Sequence, residues 1–363
     1  MKIKTFIALS LLFLSCTQKK ETTIINGKIP NLPDGTIYLY KDIYNNVLDS
    51  TKTVNGKFLL EQKWNDSLNE AIYLGLRHVD KLGVLRIISF PTNAKYKNSG
   101  YNSEFFLSDS IITINGSFTD NTPVDVFVGK TKFVTTPKIT AGYQTNALFH
   151  TDGDLFDNIN KDTYKKVASK IKEYPNSFHL LCQINITRNS FTAIETQNLL
   201  GLFKGEITDS ETFKTLKKYN DKRFQIKKLT LPLLTNKNGK KTEILETKFK
   251  KHLVVFWASW CGPCRQEIPA LKSMHSKHKD DVEFVSVSTD TNNSFWQKAL
   301  EKENMPWKQL IVNEKSNEYE SIEIFFQLSN SIPYIAFVDN NMKVLKSHVG
   351  LMTEAELEKF IKN

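Results

Sequence analysis

Short segments in which apolar and polar residues alternate, separated by turn dipeptides, occupy the first third of the chain. The dipeptides are Asn26-Gly27, Asp34-Gly35, Asn55-Gly56 and Asn115-Gly116. Alternation with a period of two predicts strands with one buried face, and Asn-Gly or Asp-Gly pairs favour tight hairpin turns. We therefore predict an all-β domain over residues 24–135. Its predicted strands, in a small sandwich or barrel-like sheet, are 36–40, 47–51, 57–61 and 111–114.

A different pattern follows in residues 150–228, where glycine is nearly absent and apolar residues recur at helical spacing. Phe213, Leu216 and Tyr219 lie three residues apart, so their side chains share one face of a helix. Ser177 is a suitable N-cap for another helix. We predict two to four helices here and interpret the segment as a helical spacer between modules.

Strand and helix patterns alternate in residues 229–363. Residues 253–258 form a near-continuous apolar run, which is typical of a central strand covered on both faces. The alternation predicts an α/β sheet with helices on its faces, so the whole chain is predicted to be multidomain. The other predicted strands are 283–288, 334–339 and 344–349, and the predicted helices begin near Cys261, cover 294–302, precede Asn330 and cover 354–362.

The N-terminus has the pattern of a targeting segment. Two lysines precede a nine-residue apolar run, which is too short to span a bilayer. The run ends at Ser15-Cys16, which resembles a bacterial lipobox, although Phe13 stands where leucine is usual. Residues 1–15 are thus predicted to be a lipoprotein signal peptide, with Cys16 the lipid attachment site. The alternative is an ordinary secretory signal with an incidental cysteine.

Charge and cysteine content exclude some classes of partner and of fold. The net charge of +10 comes from scattered basic residues, which argues against nucleic acid as a partner. Four cysteines are present, and one of them is the predicted lipid site, so a framework of several disulfides is excluded. Cys182 lies in an apolar run and is interpreted as a small buried hydrophobe. Cys261 and Cys264 remain as one CxxC pair.

This CxxC pair directly follows the predicted central strand and opens a helix. A cysteine at a helix N-terminus lies among unpaired backbone N–H groups at the positive end of the helix dipole, which stabilises its thiolate. Cys261 is therefore the predicted nucleophile. Cys264, one turn later, can resolve a mixed disulfide formed at Cys261, so the pair is a predicted redox disulfide. Cys264 is expected to be the buried member of the pair, and Cys261 the accessible one.

The surrounding residues resemble the TlpA-like branch of the thioredoxin superfamily, over residues 229–363. The motif is Trp260-Cys261-Gly262-Pro263-Cys264-Arg265, followed by Glu267, Pro269 and Leu271. The resemblance implies a thioredoxin-like fold in which Ile332-Pro333 matches the cis-proline loop opposite the dithiol. It also implies that this loop and Trp260 line the groove that binds the substrate backbone. Residues 24–135 resemble the β domain that precedes thioredoxin domains in many Gram-negative lipoproteins.

The family pattern also implies roles in proton transfer. Thioredoxins bury an acid in the central strand, where this chain has Val255, whereas TlpA-like reductases carry an acid at the position of Glu267. Burial would raise the pKa of Glu267 towards the range useful for taking the proton from Cys264. The predicted activity is dithiol-disulfide exchange with protein substrates in the cell envelope, facing the periplasm. It requires no cofactor, and a membrane protein is the predicted electron donor.

Three alternatives stay open at the level of the sequence. A zinc site would need two further ligands, and His275 and His278 lie three to four turns beyond Cys261, where they are expected to form a solvated face. A thiol peroxidase would need threonine and proline just before its cysteine, which are absent. A lipid-anchored binding protein could use the β domain to recognise a glycan, peptide or partner.

Overall fold

The structure is a computed structural model that describes residues 22–41, 46–64, 70–124, 129–136, 138–225, 230–329 and 331–362. Cys16 and the predicted signal peptide lie outside the described residues. The chain divides into two compact units, one comprising Met1–Leu181 with Leu202–Phe213 and the other Cys182–Gly201 with Lys214–Asn363. Within the described part, no helix is both long and apolar enough to cross a bilayer.

The described residues of the first unit form two sheets that share one apolar core. Its strands are β1 (Thr22–Lys28), β2 (Gly35–Lys41), β3 (Asn46–Thr53), β4 (Lys57–Lys63), β5 (Tyr73–Asp80), β6 (Leu85–Tyr96), β7 (Ser99–Ser103), β8 (Phe105–Leu107), β9 (Ile111–Asn115), β10 (Thr119–Asp120), β11 (Thr131–Thr135) and β12 (Lys138–Thr140). One sheet has the order β12-β9-β1-β4. The other has the order β10-β11-β6-β5-β2-β3, with β7 paired to β6 and β8 to β5.

Alternate residues of these strands meet between the two sheets. Ile25 of β1 and Leu60 of β4 share a core with Ile37 of β2 and Leu76 of β5, and all four are at most 2% exposed. The apolar residues that recur with the predicted period of two are therefore the ones that face inward in a β sandwich. The prediction of an N-terminal all-β region is confirmed.

The middle of the chain is helical, as predicted. Its helices are α1 (Tyr143–Phe149), α2 (Lys161–Glu173), α3 (Phe178–Ile186), α4 (Ala193–Leu200) and α5 (Glu211–Arg223), with short 3₁₀ turns at Arg188–Ser190 and Glu206–Asp209. The Ser177 hydroxyl accepts the N–H of Leu180 at 3.3 Å, as an N-cap does. Thr192 and Glu195 form a capping box at the start of α4. Cys182 is half-buried, so the expectation of a fully buried residue was wrong.

The second unit contains a seven-stranded sheet in its described residues, with the order β14-β13-β17-β16-β15-β18-β19. The elements are β13 (Leu234–Asn236), β14 (Lys241–Thr242), β15 (Lys251–Trp257), α6 (Gly262–His278), β16 (Val282–Ser288), α7 (Asn293–Glu303), β17 (Lys308–Ile311), α8 (Asn317–Phe326), β18 (Tyr334–Asp339), β19 (Val344–Val349) and α9 (Glu354–Lys362). Strand β15 pairs in parallel with β16 and antiparallel with β18. The predicted α/β fold is confirmed.

Strand β15 is buried on both faces, as its continuous apolar run predicts. Leu253 and Val255 pack on the side of α6 and α9, whereas Val254 and Phe256 pack on the side of α8. The sheet therefore has an apolar layer on each face. This arrangement holds the carboxyl end of β15, from which the CxxC motif follows, at one edge of a rigid core.

Part of the helical region packs on this sheet unit, which corrects its interpretation as a spacer. Arg188 donates two hydrogen bonds to the carboxylate of Glu323 on α8, at 2.9 and 2.7 Å. Asn189 donates to the same carboxylate at 3.0 Å and to the carbonyl of Leu328 at 2.7 Å. Glu323 is only 3% exposed, so residues of the helical region supply the partners of a buried charge. The sequence pattern does not reveal this contact because it joins residues far apart in the chain.

Candidate active site

The two cysteines of the CxxC motif lie where β15 gives way to α6. Cys261 is the N-cap of α6, with extended backbone dihedrals, and its Sγ accepts the N–H of Cys264 at 3.2 Å. Cys261 and Cys264 form a disulfide, with 5.3 Å between their Cα atoms. The Cys261 sulfur therefore receives a backbone N–H at the positive end of the helix, which favours its thiolate once the disulfide is reduced.

Burial does not distinguish the two cysteines in this oxidised form. Cys261 is 4% exposed and Cys264 is 3% exposed, so the expectation that only Cys264 is buried was wrong. Packing of both sulfurs into the apolar layer beneath α6 accounts for this equality. The case for Cys261 as nucleophile therefore rests on its place at the helix N-terminus.

The Ile332-Pro333 loop lies beside the dithiol. The peptide bond between these residues is cis, and the carbonyl oxygen of Ile332 lies 3.8 Å from the Sγ of Cys261. Pro333 is buried, and its carbonyl accepts the N–H of Gly350 at 2.8 Å, which ties the loop to the end of β19. Trp260, next to Cys261 in the chain, is 70% exposed. An exposed indole next to the sulfur can contact an extended polypeptide.

Glu267 is a buried acid on the same helix as the dithiol. It follows Cys264 by three positions, so both side chains lie on one face of α6. The carboxyl group is 1% exposed, and its Oε1 accepts the N–H of Met352 at 2.8 Å. Its Oε2 has no hydrogen-bond partner among the described residues. Burial raises the pKa of Glu267 to about 7, against the opposing effect of the Met352 N–H, so this carboxyl can exchange a proton at neutral pH.

The place of the acid found in the central strand of thioredoxins is apolar here. Val255 is 3% exposed and belongs to the same apolar cluster as Cys261 and Cys264. Within α6, Pro269 follows Glu267 by two residues inside the helix. A proline in a helix interior lacks the N–H for one backbone hydrogen bond.

Two charged contacts around the dithiol were not predicted from the sequence. Asp290, two residues after the end of β16, accepts hydrogen bonds from the N–H and the hydroxyl of Ser259 at 2.8 and 2.6 Å. Arg265 pairs with Glu303 of α7 at 2.8 Å. The sequence did contain a signal for the first contact. Ser259 and Asp290 each follow a predicted strand, and the carboxyl ends of adjacent parallel strands lie at the same edge of a sheet.

The two histidines of α6 are not a solvated face, which corrects that expectation. The His275 ring packs against Phe284 and Trp307, with centroid distances of 5.2 and 5.3 Å. His278 lies 3.2 Å from a carboxylate oxygen of Glu358 on α9. Both rings are half-buried because α6 packs against both the sheet and α9. Within the described ranges, no group of three potential metal ligands comes together.

Two family profiles match the chain. The Redoxin family matches residues 211–361, and a domain of unknown function, DUF4369, matches residues 23–140. The first match contains the dithiol, Glu267 and the Ile332-Pro333 loop. The second match covers the β sandwich.

Individual proteins are also similar to the C-terminal part. The chain is 30% identical over 122 residues to the thioredoxin-like protein YneN of Bacillus subtilis, covering 33% of this chain and 69% of that protein. It is 25% identical over 131 residues to the thiol-disulfide oxidoreductase ResA of Bacillus thuringiensis, covering 36% of this chain and 72% of that protein. The solved thioredoxin domain of a thiol-disulfide oxidoreductase from Bacteroides vulgatus is 26% identical and covers 36% of this chain and 92% of that chain, with a TM-score of 0.31.

The sequence matches and the geometry point to one chemistry. The matched segment has a dithiol at a helix N-terminus, and the matched relatives are thioredoxin-like proteins and thiol-disulfide oxidoreductases. By these criteria the chain belongs to the thioredoxin superfamily, as a TlpA-like thiol-disulfide oxidoreductase.

Proposed function

We propose that this oxidoreductase reduces disulfides of protein substrates in the cell envelope, through Cys261, Cys264 and Glu267. The observation that carries the proposal is the buried carboxyl of Glu267, one turn beyond a dithiol at a helix N-terminus, with a pKa of about 7. A group with such a pKa can take and return a proton at neutral pH. The exposed Trp260 and the Ile332-Pro333 loop are the proposed contacts for the substrate backbone.

The proposed reaction has two exchange steps. The Cys261 thiolate attacks one sulfur of a substrate disulfide, forming a mixed disulfide and releasing the other substrate sulfur as a thiolate. Glu267 then takes the proton from Cys264, and the Cys264 thiolate attacks the Sγ of Cys261. The second substrate sulfur leaves as a thiolate that takes up a proton, and the Cys261–Cys264 disulfide remains. Two electrons pass from the protein to the substrate, and no cofactor takes part.

The spacer between the cysteines supports the proposed direction of electron flow. The Gly262-Pro263 spacer is that of thioredoxin, whose potential of about −270 mV marks a reductant, compared with about −120 mV for the oxidant DsbA. A reductant outside the cytoplasm must be reduced again after each turnover. We therefore propose a membrane protein as its electron donor, with Cys16 as the lipid anchor that keeps the two near each other.

Trapping of mixed disulfides tests the proposed roles of the two cysteines. Cys264→Ala should accumulate covalent adducts with substrate proteins, because Cys261 still attacks and the internal resolving thiol is missing. Cys261→Ala is the matched control and should form few adducts, since Cys264 lies one turn inside the helix. Non-reducing gels and mass spectrometry would compare the two variants. Equal trapping by both, or trapping by Cys261→Ala alone, would contradict the assignment of nucleophile and resolving thiol.

A further inference from the structure

A buried carboxylate outside the CxxC motif is bonded directly to the turn that carries the dithiol. Asp290 is 2% exposed and accepts three hydrogen bonds. Two come from the N–H and hydroxyl of Ser259, and one comes from the hydroxyl of Ser288 at 2.7 Å. Its own N–H donates to the Ser288 oxygen at 3.0 Å. These donors are neutral, so they orient the carboxylate and compensate its charge only in part.

The residue that Asp290 bonds lies two positions before the reactive cysteine. Ser259 and Cys261 are two positions apart in the chain, which limits the distance between their Cα atoms to about 7 Å. The N–H of Cys261 donates to the carbonyl of Ala258 at 3.0 Å, so the chain turns back in this segment. A charge roughly 10 Å away in a partly buried setting changes an ionisation equilibrium on the order of tenfold.

Other charged groups near the dithiol do not duplicate this effect. Glu267 belongs to the proton-transfer step and is near its own midpoint at neutral pH. Arg265 lies on α6 just after the dithiol and is paired with Glu303, so its charge is offset by that of its partner. Asp290 is thus a buried carboxylate with neutral hydrogen-bond donors, on the side of the turn that precedes Cys261.

We propose that Asp290 is a positioning residue that makes the Cys261–Cys264 couple more reducing, by holding a buried negative charge against the active-site turn. A negative charge disfavours the Cys261 thiolate, and a less stable reduced form gives a lower reduction potential. The Ser259 contacts hold the turn so that this charge keeps a constant distance from the sulfur. This inference rests on the proposed role of Cys261 and Cys264 as the redox couple.

The test is the redox equilibrium of the full chain with glutathione, with the Cys261–Cys264 disulfide quantified by alkylation and mass spectrometry. Asp290→Asn keeps the shape and removes the charge, so it should shift the equilibrium towards the dithiol on the order of tenfold, which equals about 30 mV. Ser259→Ala removes one donor and leaves the charge less compensated, so it should shift the equilibrium the other way, by about twofold.

A matched control removes a buried charge at the far end of the same strand. Glu283 lies near the start of β16, is 4% exposed and bonds His252 and Lys308. It is seven residues from Asp290, or roughly 20 Å along a strand, so Glu283→Gln should leave the equilibrium unchanged. Circular dichroism would verify that each variant is folded.

The outcomes separate the inference from the proposed function. An Asp290→Asn variant with an unshifted redox equilibrium would overturn the inference. Shifts of the equilibrium in the same direction for Asp290→Asn and Ser259→Ala would also overturn it, because a mere loosening of the turn should move the equilibrium the same way in both variants. If Asp290→Asn does not fold, the sign of the Ser259→Ala shift decides. A wild-type chain without a reversible Cys261–Cys264 couple would overturn the proposed function as well.

Discussion

At the residue scale, Glu267 shows how the surroundings of one side chain set its chemistry. Its carboxyl receives one backbone N–H, from Met352, and the residue is 1% exposed. A single donor is too little to offset the loss of hydration, so burial raises its pKa to about 7. The raised pKa has a cost in stability and a benefit in proton transfer.

The cost can be measured as a pH dependence of stability. The pKa of Glu267 is about 7 in the folded chain and 4.5 without burial, so its contribution to stability is fully present below pH 4.5 and is lost as the pH rises through 7. Glu267→Gln removes this loss. We expect the oxidised variant to exceed the wild type by about 2–3 kcal/mol in unfolding free energy at pH 8, and by little at pH 4.5.

The benefit appears in the same variant as lost activity. Insulin reduction by Glu267→Gln at pH 7 should fall on the order of 100-fold, because Cys264 loses its proton acceptor. The wild-type rate should rise through pH 7, and the variant should lack this rise. Glu301→Gln, at an exposed position of α7, is the control for both measurements. Equal pH profiles for Glu267→Gln and the wild type would contradict the proton-transfer role.

At the scale of elements, helix α8 depends on partners supplied by the helical region. Glu323 of α8 is buried, and its carboxylate accepts hydrogen bonds from Arg188 and Asn189. Arg188 also stacks over the ring of Tyr219 on α5, at 4.3 Å from the ring centroid. The Tyr219 hydroxyl donates to Asn189 at 2.8 Å, so the segment after α3, α5 and α8 form one polar cluster. Removing one partner from such a buried cluster lowers the unfolding free energy strongly, because the other partner stays buried without its hydrogen bonds.

This cluster predicts a large effect from a single substitution. Arg188→Met leaves the buried Glu323 with Asn189 as its remaining partner, and should lower the unfolding free energy by about 3 kcal/mol. Lys222→Met is the matched control, because the pair of Lys222 with Glu320 also joins the helical region to α8 but is about 40% exposed on both sides. The control should cost about 1 kcal/mol or less. Chemical denaturation measures the unfolding free energy of both variants. Similar decreases in the two would contradict the larger contribution expected from the pair of Arg188 and Glu323.

At the scale of the whole molecule, the proposed lipid anchor and the dithiol belong to separate parts of the chain. The predicted attachment site Cys16 precedes the β sandwich, whereas every proposed catalytic group lies in the Redoxin match of residues 211–361. Replacement of Cys16 by alanine should therefore move the protein from the membrane fraction to the soluble fraction of cells. Insulin reduction by the released protein should equal that of the wild type. Continued membrane association of a correctly cleaved Cys16→Ala variant would contradict lipidation.

The sequence by itself determined the features that depend on near neighbours. The period-two alternation of the first unit, the continuous apolar run of β15 and the capping residue Ser177 each act within a few positions. The CxxC motif after a strand likewise defines a helix N-terminus, and with it the environment of Cys261. Local physical rules are sufficient for these features, so the pattern of elements and the class of chemistry could be predicted.

Only the tertiary structure decided which distant groups meet at the site and on α8. Ser259 and Asp290 are 31 positions apart, Glu267 and Met352 are 85 apart, and Arg188 and Glu323 are 135 apart. Burial of both cysteines and the packing of the α6 histidines likewise depend on elements that are distant in the chain and pack together. The physical reason is that burial and charge pairing depend on the packing of whole elements, whereas periodicity in a sequence reports only the conformation of each element.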